Sequence, residues 1–392
     1  MTAAKLLVGQ SGGPTQVINA SLAGLIEAGQ RSGAFPEIWG LRHGIEGALG
    51  EPMVRLDQLG QGDLDRLART PAAALGSCRH KLTPDDYGRI VDFFRRHEVR
   101  WFCYTGGNDS MDTCHQLARA AEDQRYALQV YGVPKTIDND LVETDHCPGY
   151  GSAARYWAIA TQEATLDLAA MRTYDRVLVL ECMGRNAGWL AAATALYKMR
   201  DEDGPHLLLT PERHFDEEAF LAQVETMLGR VGYCVVAASE TIRDASGEYV
   251  ARARGGMDRF GHQVVTAVGE TLAQLVGERL GVKARASKPG TLQRTSVAYT
   301  SVVDRDEARE AGRVAARSLA AGRSGEMVTL RRPGGADYRC EFGAAPLAAI
   351  ANHERPMPPE FFEEGGECVS TAFRNYALPL LGPAPEPLFQ LA

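Results

Sequence analysis

The chain has no CxxC pair: its eight cysteines stand singly across 392 residues. Single thiols offer neither a paired redox motif nor a zinc ribbon, and they fit a reducing compartment. No apolar run approaches the ~20 residues a helix needs to cross a bilayer. The opening MTAAKLLVGQ enters an apolar strand without the hydrophobic core of a secretory leader. A cytoplasmic location is the expectation. Basic residues are in deficit: 42 Lys and Arg against 50 Asp and Glu leave a net charge of −8. Neither nucleic acid nor an anionic membrane finds an electrostatic footprint in that balance. Low-complexity linkers and short-period repeats are missing as well.

What is present is alternation. Apolar, strand-like segments at 5–9, 37–41, 99–104, 128–133, 177–181, 206–209 and 233–238 alternate with helical patterns at 17–31, 84–97, 110–123, 152–171, 186–198, 216–230, 263–279 and 304–321. Short apolar strands between amphipathic helices imply an α/β protein with largely parallel sheets covered on both faces. Such sheets bind ligands beyond the C-terminal ends of their strands. The proline-rich tail after Pro383 is expected to be irregular.

The informative motifs lie at those strand ends. After the first strand comes GQSGGPTQVIN, where Gly12 and Gly13 form either a phosphate-cradling turn or an ordinary tight turn. After 99–104 comes TGGNDS, with Gly107, Asn108 and Asp109 opening a helical pattern. Two glycines at a strand-to-helix turn let backbone N–H groups approach an anion. After 128–133 comes PKTIDND. Lys135 precedes Asp138 by three residues and Asp140 by five. A cation beside two carboxylates suits metal-assisted proton abstraction next to a phosphate, although TIDND alone also reads as a solvated surface turn.

These motifs, with GSCR (76–79), ECMGRNAG (181–188), AASE (237–240) and PGTLQRTSVAYTSVVDRDEA (289–308), resemble the phosphofructokinases, and within them the pyrophosphate-dependent branch. They come in the family's order over about residues 5–310. The resemblance implies two Rossmann-like three-layer lobes with the active site between them. It divides the chain discontinuously, with crossovers near 145–150 and 292–294. Residues 1–147 plus about 293–335 would form a donor-binding lobe, and 148–292 plus about 336–392 a sugar-phosphate lobe. The implied reaction is Mg²⁺-dependent, reversible transfer of a phosphoryl group from pyrophosphate to the 1-hydroxyl of fructose 6-phosphate.

By the same resemblance, Gly12, Gly13, Arg79, Gly107, Asp109 and Lys135 meet the donor. Asp138 is the base, and Lys135, Asp109 and Asp140 complete the catalytic set. Asn108, Asp138 and Asp140 are the metal candidates. Thr136, Ile137, Asp138, Met183, Gly184, Arg185, Glu240, Thr291, Leu292 and Gln293 would bind the sugar phosphate. Arg176, Arg285 and Arg294 would clamp its 6-phosphate, two of them from a neighbouring copy in a homodimer or homotetramer. ATP-using relatives carry Asp then Gly where this chain has Asn108 and Asp109, and glycine where it has Lys135. Asp109 adds bulk and repulsion against a nucleotide α-phosphate; it also reads as a helix cap. Asn108 replaces a carboxylate with a weaker neutral oxygen ligand. Thr291 stands where His or Tyr is usual. The alternatives are an ATP-dependent phosphofructokinase and a catalytically silent sugar-phosphate-binding subunit.

Overall fold

The computed structural model describes residues 3–50, 53–257, 263–265, 267–335, 337–363 and 368–388. The chain divides into two compact units: Met1–Ser152 with Arg294–Arg355, and Ala153–Gln293 with Pro356–Ala392. The expectation of a return to the second unit near 335 stops short of what pairing dictates. The strand Glu341–Pro346 runs antiparallel along Glu326–Arg331, so the hairpin stays in the first unit as far as Arg355.

In the first unit, β1 (Lys5–Gln10), α1 (Ile18–Ser32), β2 (Glu37–Leu41), β3 (Val54–Arg55), α2 (Gln61–Ala68), α3 (Pro84–Arg96), β4 (Val99–Gly106), α4 (Asn108–Asp123) and β5 (Gln129–Pro134) follow one another. The sheet has seven strands, in the order Glu341–Pro346, Glu326–Arg331, β5, β4, β1, β2, β3. The five inner strands are parallel and the two outermost pairs antiparallel. Apolar residues fill β1 and β4 because helices cover both faces. Gln10 stands beside Thr105 and Gly106 beside Pro134. The segments leaving β1, β4 and β5 therefore emerge along one edge of the sheet.

One helix crossing depends on missing side chains. A Cβ at Gly24 of α1 would overlap the Arg309 carbonyl, and one at Gly312 would overlap that of Ser21. The helix Val302–Ala320 thus packs backbone to backbone on α1.

In the second unit, α5 (Tyr150–Ala170, starting in the first unit), β6 (Val177–Cys182), α6 (Trp189–Ala193) and β7 (Leu207–Leu209) lead to further elements. The main sheet is fully parallel, ordered Ala284–Ser287, β6, Cys234–Ser239, β7. Helix 263–279 is corrected: Gln263–Val265 pairs antiparallel with Arg252–Met257, and the helix is Val268–Leu280. Helix 186–198 shortens to α6. Beyond it, Leu196 and Lys198 donate to carbonyls three residues back, giving tight turns in place of α-helix. Because Trp189–Leu196 is buried on every side, its continuous apolar run carries no polar face that would mark where the helix ends. All eight cysteines are free thiols. No helix among the described residues is long and apolar enough to cross a membrane.

Candidate active site

In the first unit, the turn after β1 is held open by its neighbours. Gly12 adopts φ 74°, donates its N–H to the Cys78 carbonyl and accepts from Ser77 Oγ at 2.6 Å. A Cβ at Gly12 would press on Lys135 Nζ, and one at Gly13 would overlap the Arg294 guanidinium. Gly12, Gly13, Gly76, Ser77, Arg79 and Arg294 line a cleft of about 390 Å³. A concave surface of glycine backbone with two arginines suits a small polyanion.

Lys135, directly after β5, reaches the back of the cleft's glycine turn. It is buried, and its amine donates to the Gly13 carbonyl at 2.8 Å. Burial disfavours the cation, and nearby Arg294 and Arg79 oppose it further. Against the pull of Asp138 and Asp140, the pKa falls to about 8. An anion in the cleft would reverse that depression, because it supplies the counter-charge the site lacks.

Helix α4 begins at Asn108, two residues earlier than the sequence suggests, with Gly107 as its N-cap. Asp109 lies exposed in the first turn and is not the cap; its charge there favours the helix dipole. Asn108 Nδ2 donates to Asp140 Oδ2 at 3.4 Å. Asn108 Oδ1 and Asp140 Oδ1 are both buried without a hydrogen-bond partner among the described residues. Burial, with the Glu354 charge nearby, raises the Asp140 pKa. Two uncompensated buried oxygens on side chains that already meet each other fit a hard, oxygen-seeking divalent cation such as Mg²⁺. Asp138 is aimed by its own backbone: its N–H donates to Thr136 Oγ1 at 3.0 Å, and Asn139 follows at φ 55°. Ile137 is buried.

In the second unit, Met183, Gly184 and Arg185 leave the end of β6, and Glu240 leaves the end of Cys234–Ser239. The Glu240 N–H bonds the Cys182 carbonyl at 2.8 Å. Gly184 has φ 125°, closed to a side chain by the Ala187 carbonyl. Arg185 is exposed, and its carbonyl accepts from Thr241 Oγ1. Gln293 is buried: its Oε1 accepts from Met183 N and Trp157 Nε1, both at 2.9 Å, and its Nε2 donates to the Gly290 carbonyl. Its side chain therefore positions Met183, with the amide oxygen taken up by two donors. Thr291 and Leu292 stay exposed. Arg176 donates to the carbonyls of Gly232 and Leu228, and Arg285 pairs with Asp175 at 2.8 Å. Arg294, grouped with these two by resemblance, opens the second segment of the first unit and lines the glycine cleft.

Sequence reasoning missed three supporting acids and one arginine. Asp304 is buried and accepts from Gly149 N, Ser152 N and Ser152 Oγ, capping the start of α5. Glu212 accepts from Gly188 N and Met357 N. Buried Glu181 accepts from Gly269 N and pairs with Lys288. Arg355 binds the loop after β5. For Asp304 alone was there a signal, the SVVD cap pattern beginning at Ser301.

A parallel α/β sheet carrying a glycine cleft, a buried lysine and adjacent carboxylates at its strand ends defines a phosphoryl-transfer architecture. The Phosphofructokinase family matches residues 5–319, and the chain belongs to it. It is 44% identical to the pyrophosphate–fructose 6-phosphate 1-phosphotransferase of Xanthomonas campestris pv. campestris, over 98% of this chain and 93% of that one. It is 41% identical to the protein of that name from Halomonas elongata, over 95% and 90%. Among solved structures, a pyrophosphate-dependent phosphofructokinase from Nitrosospira multiformis superposes with a TM-score of 0.89 at 37% identity, covering 99% of this chain and 94% of that one.

Proposed function

We propose that this chain transfers a phosphoryl group reversibly between pyrophosphate and the 1-hydroxyl of fructose 6-phosphate, giving fructose 1,6-bisphosphate and phosphate. The observation that carries the reading is the buried Lys135 amine on the Gly13 carbonyl, at the wall of the glycine cleft. It supplies a fixed cation where ATP-using relatives carry glycine. With the names borne by the homologues, this favours pyrophosphate over ATP as donor.

In this mechanism the backbone of Gly12 and Gly13, the side chains of Arg79 and Arg294, and the N-terminus of α4 hold the donor. Lys135 stabilises charge that develops on the transferring group and on the leaving phosphate. Asp138 accepts the proton of the attacking hydroxyl. Asp109 repels and crowds a nucleotide α-phosphate. Asn108, Asp138 and Asp140 would hold Mg²⁺, which neutralises donor oxygens when bound. Met183, Gly184, Arg185 and Glu240 present backbone and polar groups to the sugar. Arg176 and Arg285 take the 6-phosphate of a neighbouring copy's substrate, in a homodimer or homotetramer in the cytoplasm. The test is initial rates with fructose 6-phosphate and Mg²⁺, comparing pyrophosphate with ATP. A protein faster with ATP, or inert with both, overturns the proposal.

A further inference from the structure

The segment between Asp138 and Cys147 carries the proposed base yet contains no helix or strand of its own. Two of its residues sit in the left-handed region, Asn139 at φ 55° and Glu143 at φ 62°. Side chains other than glycine pay for that conformation, glutamate more than asparagine. Something outside the segment must hold it.

Leu330 holds its far end, bonding Thr144 Oγ1 and the Asp145 N–H, but the element that reaches both ends is Arg355, at the end of the first unit and beyond the residues that match the family. One guanidinium nitrogen donates to the Thr144 and Asp145 carbonyls at 2.9 and 2.6 Å, and the other to the Asn139 carbonyl at 2.8 Å. Its backbone N–H donates to the Asp140 carbonyl at 2.7 Å, beside a bridge between Leu141 and Glu354. Four carbonyls from both ends of the segment thus meet one residue. Within the loop, the Cys147 N–H closes on Asn139 Oδ1 at 3.0 Å. The planar fork of arginine can reach divergent carbonyls in fixed directions, which a lysine ammonium cannot match.

We propose that Arg355 is a positioning residue for catalysis: it sets the Asn139–Asp145 backbone and, through it, the direction of the Asp138 carboxylate. The inference rests on Asp138 being the base. Geometry at a reacting centre is costly to disturb, with ~1 Å of misplacement worth about 10²-fold in rate. Because Arg355 directs these donors to main-chain carbonyls, its loss is expected to act on kcat and to leave both Michaelis constants close to their original values.

The experiment measures steady-state kinetics and amide hydrogen exchange on Arg355→Ala, Arg355→Lys and Asp138→Ala. Arg355→Ala is expected to lose about 10²-fold in kcat, to exchange faster in peptides spanning 139–147, and to regain activity in millimolar guanidinium ion. Arg355→Lys should fall between it and wild type. Unchanged kcat, a loss expressed only in a Michaelis constant, or a kcat loss with unchanged exchange in 139–147 each overturns the inference. If Arg355→Ala does not fold, the lysine variant decides by the same readouts, and wild-type kcat and exchange there overturn the inference. Should Asp138→Ala keep its turnover, the base assignment falls and this inference with it. Should Asp138→Ala be inactive while Arg355→Ala is normal, only the inference falls.

Discussion

The two units meet the problem of phosphate in opposite ways. In the first, Arg79 and Arg294 line an open cleft and Lys135 is buried behind its glycine turn, on the Gly13 carbonyl. In the second, Arg176 is bonded to backbone carbonyls and Arg285 to Asp175, while Gln293 and Glu212 hold the strand-end loops from beneath. One unit has its charges arranged for an anion; the other has its arginines engaged by local acceptors. A preorganised site loses little on binding, whereas an arginine that must release a carboxylate gains only the difference between two partners. The contrast implies that donor binding is the more sensitive to single substitutions in this chain.

The largest effect should come from Asp138, the proposed base. Asp138→Ala is expected to lower turnover by about 10²–10⁴-fold with small changes in either Michaelis constant. Near-normal turnover would place the chemistry elsewhere and remove the reason for the first unit's arrangement. Next comes Lys135. With its pKa near 8 in the free enzyme, kcat/KM for pyrophosphate should fall as pH rises through about 8, since the cation is the binding form. The descending limb of kcat should lie at higher pH, because bound donor favours the charge. A pH profile flat to 9.5 would mean that Lys135 is not used as a cation. Arg294→Ala is the sharper test of the contrast itself. Loss of a charge-assisted contact costs about 1.5–3 kcal/mol, so the Michaelis constant for pyrophosphate should rise roughly 10- to 150-fold. A rise confined to fructose 6-phosphate would return Arg294 to the acceptor group, where resemblance alone puts it.

How far the sequence is legible differs along the same line. The strands carrying the site can be read to within a residue or two, because a buried parallel strand is a continuous apolar run between glycine and polar turns. The strands of the outer hairpin, EMVTLR and EFGAAP, lack that signature, and the second is half-exposed. The start of α4 is misread by two residues because its cap is a glycine, with no side-chain signal. The glycine turn of Gly12 and Gly13 and the grouping of Lys135, Asp138 and Asp140 after β5 are visible in the sequence as spacing. The unit to which Arg294 belongs is not, because it directly follows the last residue of a second-unit segment and the division between them shows only in the folded chain. Arg355 leaves no pattern at all: its partners are main-chain carbonyls more than 200 residues earlier. Backbone acceptors exist at every position, so no residue type announces them.

The smallest expected effect concerns stability and lies in the same unit, away from the cleft. His146 is buried between two acids, with Nδ1 2.8 Å from Asp145 Oδ1 and Nε2 2.8 Å from Glu307 Oε2. Tyr338 hydroxyl bonds Glu307, Arg332 pairs with Asp145, and Cys340 lies close by. Burial alone would discharge the imidazole. Hydrogen bonds to Asp145, Cys340 and Glu307 reverse that and hold its pKa well above the ordinary value. A histidine raised in the folded state stabilises most below the unfolded pKa of about 6.5 and loses that contribution as pH climbs through the folded value. The difference in Tm between wild type and His146→Gln should therefore be largest near pH 6 and shrink steadily into the alkaline range. His146, Glu307 and Cys340 also bring ligand atoms within 4.8 Å of one another. Because the histidine and the glutamate already bond each other, EDTA should leave the wild-type Tm unchanged. A Tm difference that grows with pH, or a chelator-sensitive Tm, would show that the triad is held by something other than the imidazolium's own charge.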